Sequence, residues 1–251
     1  MDPIVEALAD QQAELALILE RLTESDWRIP TRCEGWDVSD VVLHLAQSDE
    51  MAIASATGGW AGIDSERTSA WSRASSVDEG VAVMVERERG APTTELLARW
   101  STNADQLVEV FNSMDLSKRV TWVAGELSAR TLATTRMAET WIHAGDVAEA
   151  VGTELEDTDR LRLISRLAWR TLPYAFASAG LELEGPVAFR LVAPDGEGWD
   201  FLPDETPVTT ISGSAVELCA IAARRRNRSD TSVIGEGPDA DNVLTLVRTY
   251  A

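Results

Sequence analysis

The sequence predicts an α+β protein: an N-terminal helical bundle over residues 1–180, followed by a smaller α+β domain over residues 181–251. Three observations carry this. Segments up to about residue 177 repeat apolar residues at the helical period, and after Gly185-Pro186 the period shortens to alternation. No self-similar period of 20 to 50 residues runs through the chain, which excludes solenoids and propellers. The length of 251 residues, 45% of them hydrophobic and 25% charged, suits one large or two modest globular domains.

Taken in order, Ile4, Leu8, Leu15, Ile18 and Leu22 stand among Glu, Asp and Gln, the stripe of an amphipathic helix. A turn at Arg28-Ile29-Pro30-Thr31 leads into a second helix ending near Ala56, with Asp37 or Ser39 as its N-cap. Residues 57–76, rich in Gly, Ser and Ala, read as a long loop. Helical patterning returns over Val77–Arg89 and over Thr93–Met114, where Leu96, Leu97, Trp100, Leu107 and Phe111 form the stripe. A short extended piece, Arg119 to Val123, precedes a long helix capped by Ser128 and stopped at Gly152. A further helix covers Thr158 to about Ala177. Strands are expected at Val187–Val192, Trp199–Phe201 and Val208–Ile211, the first two joined through an Asp195-Gly196 turn. Ser214 then opens a helix from Ala215 to about Arg225, followed by a strand at Val233-Ile234 and a helix from Asn242 to Tyr250.

Composition excludes some functions. With 22 Lys+Arg against 42 Asp+Glu, the net charge is −20, and such a chain repels the phosphate backbones that nucleic-acid binders must neutralise. No apolar stretch reaches the roughly 18 to 20 residues of a bilayer span, and the N-terminus has neither a basic n-region nor an apolar h-region, so a cytoplasmic protein without a membrane partner is expected. Cys33 and Cys219 are far apart and outside any CxxC pair; both read as reduced, buried thiols.

Two histidines, His44 and His143, hold the chemical interest. Glu139 precedes His143 by four residues, so carboxylate and imidazole lie about 40° apart around the helix and about 6 Å apart along it, on one face. His44 sits mid-helix among aliphatic neighbours, where an imidazole is costly to bury unless hydrogen-bonded or bound to metal. If the two helices are neighbours, the three side chains converge as an open two-imidazole, one-carboxylate metal site. The alternative is an ordinary core histidine bonded to a carbonyl. Asp146 is either a hydrogen-bond partner that orients His143 or a solvated helix residue.

Arg224-Arg225-Arg226-Asn227-Arg228 is a cationic cluster in an acidic chain. It serves either the carbonyls at a helix C-terminus or a substrate carboxylate. The nine tryptophans read mainly as core anchors, with Trp60 and Trp71 as candidates for lining a ligand cleft. There is no G-x-G-x-x-G, no P-loop and no G-x-S-x-G elbow.

Pro30-Thr31-Arg32-Cys33-Glu34-Gly35-Trp36-Asp37-Val38-Ser39-Asp40-Val41-Val42-Leu43-His44-Leu45 resembles the P-T-x-C-x-G-W-x-V-x-D-x-V-x-H-L opening of the mycothiol-dependent maleylpyruvate isomerase family, a branch of the DinB-like four-helix-bundle metalloproteins. Glu139-Thr140-Trp141-Ile142-His143-Ala144-Gly145-Asp146 is similar to that family's E-x-W-x-H-x-x-D motif, and Pro186 through Tyr250 to its sterol-carrier-like C-terminal domain. The Ala193-Pro194-Asp195-Gly196 turn, Gly213-Ser214-Ala215, Cys219 and the arginine triplet resemble an uncharacterised actinobacterial subgroup more than the known isomerases.

The resemblance implies a divalent metal, zinc first among candidates, on His44, Glu139 and His143, with mycothiol as cofactor or co-substrate. It also implies a catalytic arginine, best matched by Arg225, with Arg224 and Arg226 one register away. The expected activity is thiol transfer to, or cis–trans isomerisation of, a small electrophilic, carboxylate-bearing substrate. Two other functions fit the same residues: a carrier of a small molecule or lipid without turnover, and a hydrolase using metal-bound water.

Overall fold

A computed structural model of the chain describes residues 1–60, 76–123 and 125–249. It is a mixed α+β protein that divides into two units, Met1–Leu155 and Glu156–Ala251.

The first unit is a bundle of α1 (Pro3–Leu19), α2 (Val38–Ala56), α4 (Thr93–Ser113) and α5 (Ala129–Val151), in which α1 and α2 each touch both α4 and α5. The intervening α3 (Val77–Glu88) packs on α2. Asp37 caps α2: its Oδ1 accepts from the Asp40 amide at 3.0 Å while Asp40 Oδ2 accepts from the Asp37 amide at 3.2 Å, a reciprocal capping box. Ser128 caps α5, and Gly152 ends it in the left-handed region at φ 69°. The buried apolar cluster of this unit includes Val41, Val42 and Leu45 of α2 and Ala144, Val147 and Ala148 of α5.

Two details of this unit differ from expectation. The extended piece is a hairpin, β1 (Arg119–Trp122) pairing antiparallel with β2 (Gly125–Ser128). Gly-Glu-Leu-Ser carries no β-branched residue, so nothing local marks β2 as a strand. The ring of Trp60 lies 5.8 Å from that of Trp122 on β1, while Trp71 and most of the 57–76 loop fall outside the described residues.

The second unit begins with α6 (Leu161–Arg170) and α7 (Leu172–Ser178), which the sequence reading counts with the bundle as one helix. The break at Thr171 has a local cause: Pro173 lacks the N–H that a continuous helix would need and stands in the first turn of α7. α6 packs on α8 (Ala215–Ala222) and so belongs with the second unit; its apolar stripe dictates burial but not the partner. The sheet has the order β4-β3-β5-β6, formed by β3 (Val187–Val192), β4 (Gly198–Phe201), β5 (Thr209–Ser214) and β6 (Ile234–Glu236). β3 and β4 form the expected hairpin, whereas β5 runs parallel to β3. The last helix, α9 (Ala240–Leu246), is shorter than expected. Among the described residues, no helix is long and apolar enough to cross a membrane.

At the end of α8 the Arg225 amide donates to Ala220 O at 2.8 Å and the Arg224 amide to Ile221 O at 3.0 Å, with Arg224 at φ 58°. This is a Schellman close with an arginine where glycine is the usual residue. Replacing Arg224 by Gly is expected to remove about 1 kcal/mol of backbone strain and raise the thermal midpoint by a few degrees. Thermal unfolding followed by circular dichroism checks this; a lower midpoint would show that the Arg224 side chain outweighs its backbone strain.

Candidate metal centre

α2 and α5 bring together side chains 95 positions apart. His44 Nε2 lies 3.5 Å from Glu139 Oε2, and His143 Nε2 lies 3.8 Å from the same oxygen. The imidazole rings sit edge to face with centroids 4.9 Å apart, and one ligand atom from each of the three residues falls within 4.8 Å of the others. His44 and His143 are buried, and the Glu139 side chain is only 14% exposed.

His143 is held from behind. Its Nδ1 is 2.9 Å from Asp146 Oδ2, which also accepts from Cys33 Sγ at 3.3 Å. Asp146 is 1% exposed, so of its two sequence readings the structure takes the orienting one. A carboxylate only accepts, so Nδ1 donates to Asp146 and Nε2 is the ring nitrogen that faces Glu139. In the uncharged ring with its proton on Nδ1, Nε2 and Glu139 Oε2 are two acceptors 3.8 Å apart, a pair that a cation between them would satisfy. A tetrahedral zinc with bonds near 2.0–2.2 Å places nitrogen and oxygen ligands about 3.4 Å apart, so the observed 3.5 and 3.8 Å need only a small contraction.

Arg136, one turn before Glu139 on α5, extends this polar layer. Its Nε donates to Asp49 Oδ1 at 3.0 Å with both residues buried, and Arg136 Nη2 and Asp49 Oδ2 have no partner among the described residues. Burial alone would raise the Glu139 pKa, but the hydrogen bond with His44 and the charges of His143 and Arg136 hold it down at about 2. Burial is also the main cause at His44, whose pKa falls to about 4, with His143 and Arg136 pushing the same way against Glu139.

The segment from Pro30 to Asp37 closes beside this centre. Pro30 bridges to Asp37, the Thr31 amide bonds Trp36 O at 2.9 Å, and Arg89 joins Gly35 O at 3.2 Å to Asp40 at 3.0 Å. The segment sets the half-buried Trp36 ring 5.5 Å from His44 and Cys33 beside Asp146. Cys33 is thus half-buried and hydrogen-bonded, unlike the buried thiol expected. Only Cys219 is fully enclosed, its thiol pushed up to about 12 by burial. Trp36, Cys33, Arg136 and Asp49 went unread as parts of the site, and the C-x-G-W spacing was the one local signal for the first two.

Arg225 lies in the second unit, half-buried, its Nη1 donating to Ala223 O at 3.0 Å. Arg226 pairs with Glu217 at 3.5 Å, and Arg228 with Asp241. Carbonyl contacts at the end of α8 account for part of this cluster.

The model of the mycothiol maleylpyruvate isomerase N-terminal domain family matches residues 8–148, which carry α2, α5 and all three converging side chains. The chain belongs to this family. An uncharacterised protein of Mycobacterium tuberculosis, known from two strains, is 29% identical over 250 residues, covering 99% of this chain and 95% of the relative. A crystal structure of the mycothiol-dependent maleylpyruvate isomerase superposes with a TM-score of 0.59, and that of its histidine-to-alanine variant with 0.61. Both are 18% identical and covered to 94% in each chain, a likeness that establishes the shared fold.

Stability of the metal-free chain should depend on pH through His44. The unfolded imidazole protonates near 6.5 and the folded one only near 4, so the unfolded state binds more protons in between and stability falls as pH drops through that window. Glu139 acts in the same direction lower down, between 4.5 and about 2. In chelator-treated protein the thermal midpoint is expected to fall from pH 6.5 to 4, and His44→Gln to flatten that fall; an unchanged slope in the variant would contradict the assignment.

Proposed function

We propose that this chain is a metal-dependent enzyme that uses a low-molecular-weight thiol, mycothiol by family likeness, either to catalyse cis–trans isomerisation of a small electrophilic substrate bearing a carboxylate or to transfer the thiol to it. The observation that carries this reading is the convergence of three candidate ligand atoms, His44 Nε2, His143 Nε2 and Glu139 Oε2, on one point of a domain of this family. Two imidazoles and one carboxylate suit a divalent cation such as zinc with a position left for an exogenous ligand. Bound there, the cation would supply Lewis acidity and lower the pKa of a thiol in that position. Cis–trans isomerisation of an activated double bond, or S-transfer to it, is the reaction class that suits such a thiol.

The chain's own residues have separable tasks in this reading. Asp146 keeps the Nδ1 proton of His143 and so aims its Nε2 lone pair. Arg136, held by Asp49, keeps Glu139 ionised. Trp36 covers one side of His44. Arg225 is assigned the substrate carboxylate, since a guanidinium binds it bidentately and stabilises developing enolate charge.

Purified protein is expected to hold stoichiometric zinc that His44→Ala and Glu139→Ala lose, and to turn over an electrophilic carboxylate only when thiol is added. Metal-free wild-type protein after zinc loading would defeat the reading, and thiol-independent hydrolysis would replace it with metal-bound water chemistry. Arg225→Lys is expected to raise KM for the carboxylate substrate on the order of tenfold while zinc content stays unchanged. An unaltered KM would remove Arg225 from the site.

A further inference from the structure

Behind the first cluster stands a second set of donors. Cys33 Sγ, Asp146 and His143 also place one ligand atom each within 4.8 Å of one another. Asp146 Oδ2 is 3.3 Å from Cys33 Sγ and 2.9 Å from His143 Nδ1. Around a tetrahedral ion of zinc size the corresponding separations are about 3.6 and 3.4 Å, so each pair need open by only a few tenths of an ångström. Asp146 is buried, which suits a charged ligand only when it has a cation or donors to satisfy it, and half-buried Cys33 gives the group an edge toward solvent.

We propose that Cys33, Asp146 and Nδ1 of His143 form a second cation seat, selective for a thiophilic divalent ion, that shuts the first seat when filled. Selectivity follows from the thiolate, which the His44–Glu139–His143 group lacks. Exclusion follows from proton bookkeeping on one ring. A neutral imidazole has one lone pair, presented at Nε2 while Nδ1–H donates to Asp146. Binding at Nδ1 moves that proton to Nε2, where it occupies the lone pair on the Glu139 side of the ring and leaves none there to accept a metal. Cys33 releases its thiol proton to solvent, so one proton leaves per ion bound, with no change of oxidation state. The exclusion rests on the first seat holding the working metal; the second seat itself does not.

Cadmium titration of the full-length protein, followed by ultraviolet cadmium–thiolate charge transfer, tests this. The absorption is expected in the wild type, in His44→Ala and in Cys219→Ser, and is expected to be lost in Cys33→Ser and Cys33→Ala. In zinc-loaded wild type, zinc release should track the growth of that absorption, and Cys33→Ser should need more cadmium to release zinc. Absorption absent from His44→Ala, or persisting in both Cys33 variants, overturns the second seat. A wild type that shows the absorption but never binds zinc stoichiometrically leaves the second seat standing and defeats the metal-enzyme reading instead. Zinc retained while the absorption grows to completion overturns the exclusion.

Discussion

The carboxylate of Glu139, buried between two imidazoles from α2 and α5, is the interaction on which the rest of the molecule depends. Its oxygen stands 3.5 Å from one ring nitrogen and 3.8 Å from the other, and a rotation of either helix by one residue, about 100°, would take its ligand out of reach. The buried apolar cluster that Val41, Val42 and Leu45 of α2 share with Ala144, Val147 and Ala148 of α5 opposes that rotation. Packing precision in the first unit is therefore a requirement of the centre as much as a source of stability.

The layer beneath the centre is hard to explain by stability alone. A buried arginine–aspartate pair commonly contributes less than well-packed apolar residues of the same volume, and here each partner leaves one polar atom unpaired among the described residues. Along α5, Arg136, Glu139, Thr140, His143 and Asp146 recur at helical spacing, so cation, carboxylate, imidazole and carboxylate alternate along one stripe. Alternation of this kind lets each group offset the desolvation of the next. Asp49 and His44 on α2 complete it from across the seam.

Much of this was legible because it is local. The caps at Asp37, Ser128 and Gly152, the α5 spacing of Glu139 and His143, and the Asp195-Gly196 hairpin depend on residues a few positions apart, and the structure has each of them. What escaped is set by partners far along the chain. Cys33 reads as an enclosed thiol until Asp146, 113 positions away, is seen beside it. The parallel pairing of β5 with β3 and the membership of α6 in the second unit have the same character, since periodicity states that a face is buried without naming what buries it. Pro173 is the exception: a local breaker, read through because the apolar pattern continues on both sides of it.

The strong negative charge would make selectivity a real problem for the proposed cation site. With a net charge of −20, the surface attracts divalent ions everywhere, but exposed carboxylates hold them weakly through water. What would set the buried centre apart is that two of its three groups need no deprotonation. Glu139 is already ionised and His44 already neutral at neutral pH, so on the proposed reading an arriving ion would not have to displace a proton from either group. The same burial that makes these groups costly to fold thus pre-arranges them for capture, and the acidic exterior only raises the local supply of ions.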